Sequence, residues 1–191
     1  MRIIKIAEKP DNYQEMKNWF DKRTAKHIKL VQKYCKKIEE YDSERFKGLI
    51  ERGKIHDQSK YEDPEIDPYI YVSWDYKCKD DGVDFTPPEG MDDQMNEATE
   101  HHVNNNKHHP EYHSETKGKI NREDRDKAPD EMIDATKMKD LDIAEMVADW
   151  MAMGEEKGNT PKSWADKNVN IRWKFTDDQK NLIYELIEEV W

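Results

Sequence analysis

Between Asp11 and Tyr41 the apolar side chains Tyr13, Met16, Trp19, Phe20, Ile28, Val31, Tyr34, Cys35 and Ile38 recur at spacings of three and four. Only a helix puts that period on one face, so the chain is committed early to a rod of about thirty residues. Whatever covers the rod must bring apolar faces of its own. The same period returns through Met132, Ile133, Leu141, Ile143, Met146, Val147, Trp150 and Met151, and stops at Gly154. Shorter helices are expected at Ser43–Arg52 with Gly53 as the stop, and from Lys54 through "HDQSK". Another opens at Asp63-Pro64 and carries "EIDPYIYVSWDYK", where the row Tyr69, Tyr71, Trp74 and Tyr76 reads as packing. Met91–Asn104, "TPKSWADKN" and "TDDQKNLIYELIEEVW" complete the set, with Thr176 and Gln179 spaced as a capping box. Only "RIIKI" and "NIRWKF" resemble strands. The expectation is an all-α fold with one domain over residues 1–191 and a core over about 12–190. The charged stretch 114–129 is a solvated loop that could serve as a lid.

Charge narrows the partners. A net charge of −11 repels a phosphate backbone at long range, which argues against DNA or RNA as a polymer. It leaves room for a small phosphorylated ligand held through a metal. Cys35 and Cys78 form no CxxC pair and suggest no disulfide framework, and no apolar run approaches the length needed to cross a bilayer. A cytoplasmic setting without membrane contact is expected, and the oligomeric state is not encoded in any motif.

The chemistry concentrates in histidine. Five of the seven histidines lie in "EHHVNNNKHHPEYH", Glu100 to His113. His27 sits beside the buried stripe of the first helix, and His56-Asp57 forms a doublet in "IHDQSK". Adjacent His and Asp can share one divalent ion only if their rotamers converge and other segments complete the shell. Asp149 lies inside an apolar helix, where a carboxylate is costly without a partner. Glu145 shares its face but reads as an exposed Glu, and Asp142 lies on a more polar face. His101 and His102 point about 100° apart on a helix, so both reach one cluster only if they do different jobs. His101 is the first choice as a ligand, which turns His102 toward substrate. His108, His109 and His113 follow the helix end, as further ligands, phosphate contacts or fillers of a Pro-bounded turn.

The order of His27, His56-Asp57 and Asp149 resembles that of the HD-domain superfamily of metal-dependent enzymes. "HDQSK" is similar to the HD-x-G-K of its HD-GYP and inositol-oxygenase branches, with Ser59 where Gly is usual, and "EHHVNNNKHHPEY" is similar to the His-His segment of HD-GYP proteins. More narrowly, "HDQSKYEDPEIDPY", "HHVNNNKHHPEY" and "EMVADWMAMG" resemble DUF5662, an uncharacterised family of small HD-like proteins of bacteria and phages, over roughly residues 25–185. The departures are the strongly charged loop Ser114–Pro129 and Asn104, where another His is expected. The resemblance implies an HD-like helical bundle with His27, His56, Asp57, His101 and Asp149 as metal ligands. It implies one or two divalent ions drawn from Mn, Fe, Co, Mg and Zn. Lys60 corresponds to a lysine that reaches a substrate oxygen, and His102 and His109 join it as catalytic candidates. The function implied is a metal-dependent phosphohydrolase acting on a nucleotide or other small phosphate ester. The alternatives are a His-rich di-iron oxygenase and a non-catalytic, metal-stabilised interaction protein.

Overall fold

The apolar stripe becomes α1 (Tyr13–Tyr41), whose buried face runs from Met16 and Phe20 through His27 and Val31 to Ile38. The computed structural model describes residues 9–115, 122 and 129–191. After α1 the chain forms α2 (Leu49–Ile55), a 3-10 turn (Gln58–Tyr61), α3 (Ile66–Asp81), α4 (Met91–Asn105) and α5 (Pro110–His113). Then come β1 (Ile133–Asp134), α6 (Asp140–Lys157), α7 (Pro161–Asn168), β2 (Trp173–Lys174) and α8 (Asp177–Val190). The fold is all-α. Its two-residue strands pair in parallel, Ile133 with Trp173, and fasten the approach to α6 against the approach to α8. Among the described residues no helix is long and apolar enough to cross a membrane.

Two apolar clusters share α1. Its C-terminal half, with Val31, Cys35 and Ile38, packs with Leu49 of α2, with Met146, Val147 and Met151 of α6, and with Leu182 and Leu186 of α8. Its N-terminal half, with Met16 and Phe20, packs with Tyr69, Ile70 and Trp74 of α3 and with Met91 and Met95 of α4. The aromatic row on α3 thus belongs largely to packing, as expected. Thr24 and His27 occupy the stretch of α1 between the two clusters.

Several local expectations change. Gly53 is no helix stop: it lies inside α2, where a Cβ would come within 3.1 Å of Cys35 Cβ and 3.2 Å of its Sγ. Its role is to let α2 approach α1 closely. Gly53→Ala should therefore lose stability, overpacking of about 1–3 kcal/mol outweighing a helix-propensity gain of about 1 kcal/mol, measured as a lower urea midpoint with an unchanged slope. Pro64 does not open the helix, since α3 begins at Ile66 with Glu65 as its N-cap. The helix expected from Asp130 starts only at Asp140, because Ile133 and Ala135 donate their backbone N–H groups to Arg172 and Lys174 instead. "NIRWKF" does supply β2, and the capping box at Thr176 and Gln179 forms at 3.2 and 2.9 Å. "RIIKI" and most of the candidate lid lie outside the described residues. Arg122 of that stretch sits on Asp75 at 2.8 Å and on Asn96.

Candidate metal centre

The doublet is placed by a break in helix, where one more helical turn had been expected. α2 ends at Ile55, His56 is extended (φ −54°, ψ 132°) and Asp57 is left-handed (φ 58°, ψ 14°). Asp is among the few residues that tolerate that conformation. The break releases the two side chains from the 100° divergence of helical neighbours, and both are buried. His56 Nε2 comes to 3.6 Å from Asp57 Oδ1.

Asp57 gathers the other histidines. His27 Nε2, from the gap on α1, lies 3.7 Å from Asp57 Oδ2 and 3.0 Å from Asp149 Oδ1 on α6. His102 Nε2 of α4 approaches Asp57 Oδ1 at 3.1 Å, and His108 Nε2 reaches the same oxygen at 3.7 Å. Lys60, one turn on, donates to Asp57 Oδ2. His109 packs its ring 4.2 Å from that of His108 and 5.0 Å from that of His102. Among the described residues three groups could hold a metal ion: His27, His56 and Asp57; His56, His108 and Glu145; and His102, His108 and His109.

Carboxylates behind the rings aim them. Glu145 Oε1 lies 3.0 Å from His56 Nδ1 and 3.5 Å from His108 Nδ1, so both rings turn their Nε2 atoms toward Asp57. Arg52 of α2 holds Glu145 Oε2 at 2.6 Å and Asp142 Oδ1 at 2.7 Å. Glu145 is therefore not an exposed residue, and Asp142 is buried too. Glu65, fully buried at the start of α3, holds His102 Nδ1 at 2.8 Å and His101 Nδ1 at 2.7 Å. Such outer carboxylates fix ring orientation and make the inner nitrogen a better ligand.

This geometry separates the neighbours on α4. His102 is buried and faces Asp57, whereas the His101 side chain is 39% exposed and turns onto Glu65. His102 thus stands where His101 had been expected, and His101 lies at the rim. The phase of α4 decides this, because Met95, Ala98 and His102 share its buried stripe. His113 donates toward Lys107 O at 2.9 Å and fastens the turn between α4 and α5, apart from the centre.

Electrostatics favour a cation. Burial opposes the charged form of Asp57, yet Lys60, His56 and His102 hold its carboxyl well below the usual range. Glu145, also opposed by burial, is pulled down by His108 and His56, and Asp149 by His27. Burial disfavours the His56 cation, but Asp57 and Glu145 outweigh it and raise its pKa; burial and the charge of His56 lower that of His108. Two ligand-type atoms, His56 Nε2 and Asp57 Oδ1, are buried without a hydrogen bond, the approach of His102 to that oxygen lying outside hydrogen-bond geometry. Buried polar atoms normally have partners. A divalent ion satisfies both at once, so the residues present fit one.

No curated protein and no solved structure matches the chain. A protein-family model does match: that of DUF5662, a family of unknown function, over residues 16–189. The stretch includes every residue of the centre and all eight α-helices, apart from the ends of α1 and α8. The chain belongs to DUF5662.

Proposed function

We propose that the chain is a metal-dependent phosphohydrolase acting on a nucleotide or another small phosphate ester. His27, His56, Asp57 and Asp149 would hold one divalent ion, and His102, His108 and His109, beside Asp57, could hold a second. The observation that carries this reading is the two-sided use of Asp57, whose Oδ2 faces His27 while its Oδ1 faces His56, His102 and His108. The resemblance to the HD-domain superfamily supports it. Ions so held supply Lewis acidity and an acidified water.

The chain's own groups do the rest. Lys60 is 18% exposed and sits at the edge of the cluster, where its ammonium can leave Asp57 for a phosphoryl oxygen. Glu145 and Glu65 pair with the Nδ1 atoms of His56 and His102, and Glu145 lies 3.5 Å from that of His108, which leaves the Nε2 lone pairs directed inward. His101, at the rim and backed by Glu65, is placed to exchange a proton with a leaving group. At saturating divalent ion, His102→Gln or His109→Gln should lower turnover by ~10²-fold or more, the scale on which a misplaced reacting group slows a reaction. Parental rates in both would remove them from the reaction.

A second reading, a di-iron oxygenase, draws on the number of imidazoles near Asp57, since nitrogen donors suit iron. Metal analysis and absorption spectra of anaerobically purified protein, followed by a phosphate-release screen over nucleotides, decide between the two. Phosphate release that depends on the divalent ion supports the hydrolase. Iron at two per chain, oxygen uptake and no phosphate release would replace it with the oxygenase.

A further inference from the structure

Behind the metal centre, on the outer side of Arg52, lies a cleft of about 480 Å³ lined by Arg52, Lys107, His113, Lys137, Lys139 and Asp142 among others. It is not part of the centre. Arg52 stands between them, gripping Asp142 at 2.7 Å and Glu145 at 2.6 Å, and only beyond Glu145 come His56 and His108 and then Asp57.

The cleft is cationic in a strongly acidic chain. Four basic side chains line it against two carboxylates, Asp140 and Asp142. Both carboxylates are already engaged, Asp140 by Arg45 at 2.6 Å and Asp142 by Arg52. Lys137 pairs with Glu115. Lys107 and Lys139 form no ion pair with any described residue, so two ammonium groups remain for a ligand. α6 begins at the same place, where Asp140 and Asp142 of its first turn offset the partial positive charge of the helix end, so the cationic character of the cleft comes from the lysines. Tyr112 and Leu141 add apolar wall, against which a ring or hydrocarbon part can rest. The volume is that of a small-molecule pocket. A net charge of −11 disfavours an extended polyanion but not a compact one.

We propose that this cleft is a second binding site, for a small molecule bearing phosphate groups, held by Lys107 and Lys139 at the start of α6. The site stands on its own residues and does not depend on the reaction at the metal centre.

The test is calorimetric titration of the metal-loaded chain with methylenediphosphonate, which carries two linked phosphonates and cannot be hydrolysed. The parent should bind it. Lys107→Glu/Lys139→Glu should weaken that binding by at least about tenfold, the scale of losing two charge-assisted contacts, at unchanged metal content. Lys107→Gln/Lys139→Gln shifts affinity the same way and serves if charge reversal disturbs folding. Binding in these variants equal to the parent's, as when the metal centre alone takes up the ligand, overturns the proposal, and so does a parent that binds nothing at millimolar ligand. Phosphate release from substrates is measured separately, so a failed hydrolase assay leaves this result standing.

Discussion

Asp57→Asn should leave the protein unable to retain a divalent ion and markedly less stable. Asn tolerates the left-handed conformation at this position (φ 58°), so the substitution removes charge without straining the turn. What it removes is the one carboxylate in contact with Lys60 and within 4 Å of the Nε2 atoms of His27, His56, His102 and His108. Lys60 then loses its partner, and a nest of imidazoles loses the anion they surround. Removing one partner of a buried ion pair costs about 3–5 kcal/mol, which in a chain of this size lowers Tm by about 6–20 °C. Because the candidate ligands come from α1, the α2 turn, α4 and α6, metal binding and folding should be linked. Chelation should therefore lower the Tm of the parent and leave that of Asp57→Asn nearly unmoved. A variant with parental metal content and parental Tm would show that the centre is built on other residues.

Glu145→Gln should be nearly as damaging although Glu145 lies behind the rings. Its Oε1 serves His56 and His108, and its Oε2 serves Arg52. An amide of the same shape must turn an NH₂ group toward either the imidazole protons or the guanidinium, where every neighbour is itself a donor. Metal affinity should fall by about 10–100-fold, the range for loss of an orienting group behind a ligand. Stability should fall by about 3–5 kcal/mol as Arg52 is left with Asp142 alone. Equilibrium dialysis against Mn²⁺ and urea unfolding measure the two effects. Unchanged affinity with reduced stability would make Glu145 a partner of Arg52 only.

The sequence is most legible where a periodic pattern and a local rule agree. α1, α4, α7 and α8 follow from spacing, caps and stops; His27 and Asp149 are visible as polar residues on or beside apolar faces, and the doublet gains weight only from its order between them. It is less legible where burial depends on a distant partner. Glu145 looks like a surface residue because glutamates usually are, and only the arrival of Arg52 from α2 together with His56 and His108 makes its burial tolerable. Glu65 hides in an acid-rich run, "EDPEIDP", and nothing local tells it from its exposed neighbours. His102 was within reach, because it continues the three-and-four spacing from Met95 and Ala98. The turn at Asp57 was not, since its left-handed backbone is fixed by contacts made from both sides.

Asp142, Glu145, Asp149 and Glu156 stand three, four and seven residues apart along α6. One element thus indexes the acids facing Arg52, His56, His108 and His27. A single inserted or deleted residue between Asp142 and Asp149 would rotate everything beyond it by about 100° and break the alignment as a whole. The helix cannot readily slip to absorb the change, because a Cβ at Gly154 would meet Asn159 O at 2.9 Å and the N-terminal end is tied by the Lys139–Asp142 cap. Across descendants of this chain, α6 should therefore accept many substitutions on its outer face while keeping its length between Asp142 and Gly154 constant. Length variation should fall in the connection between α5 and β1, to which none of the candidate ligands belongs.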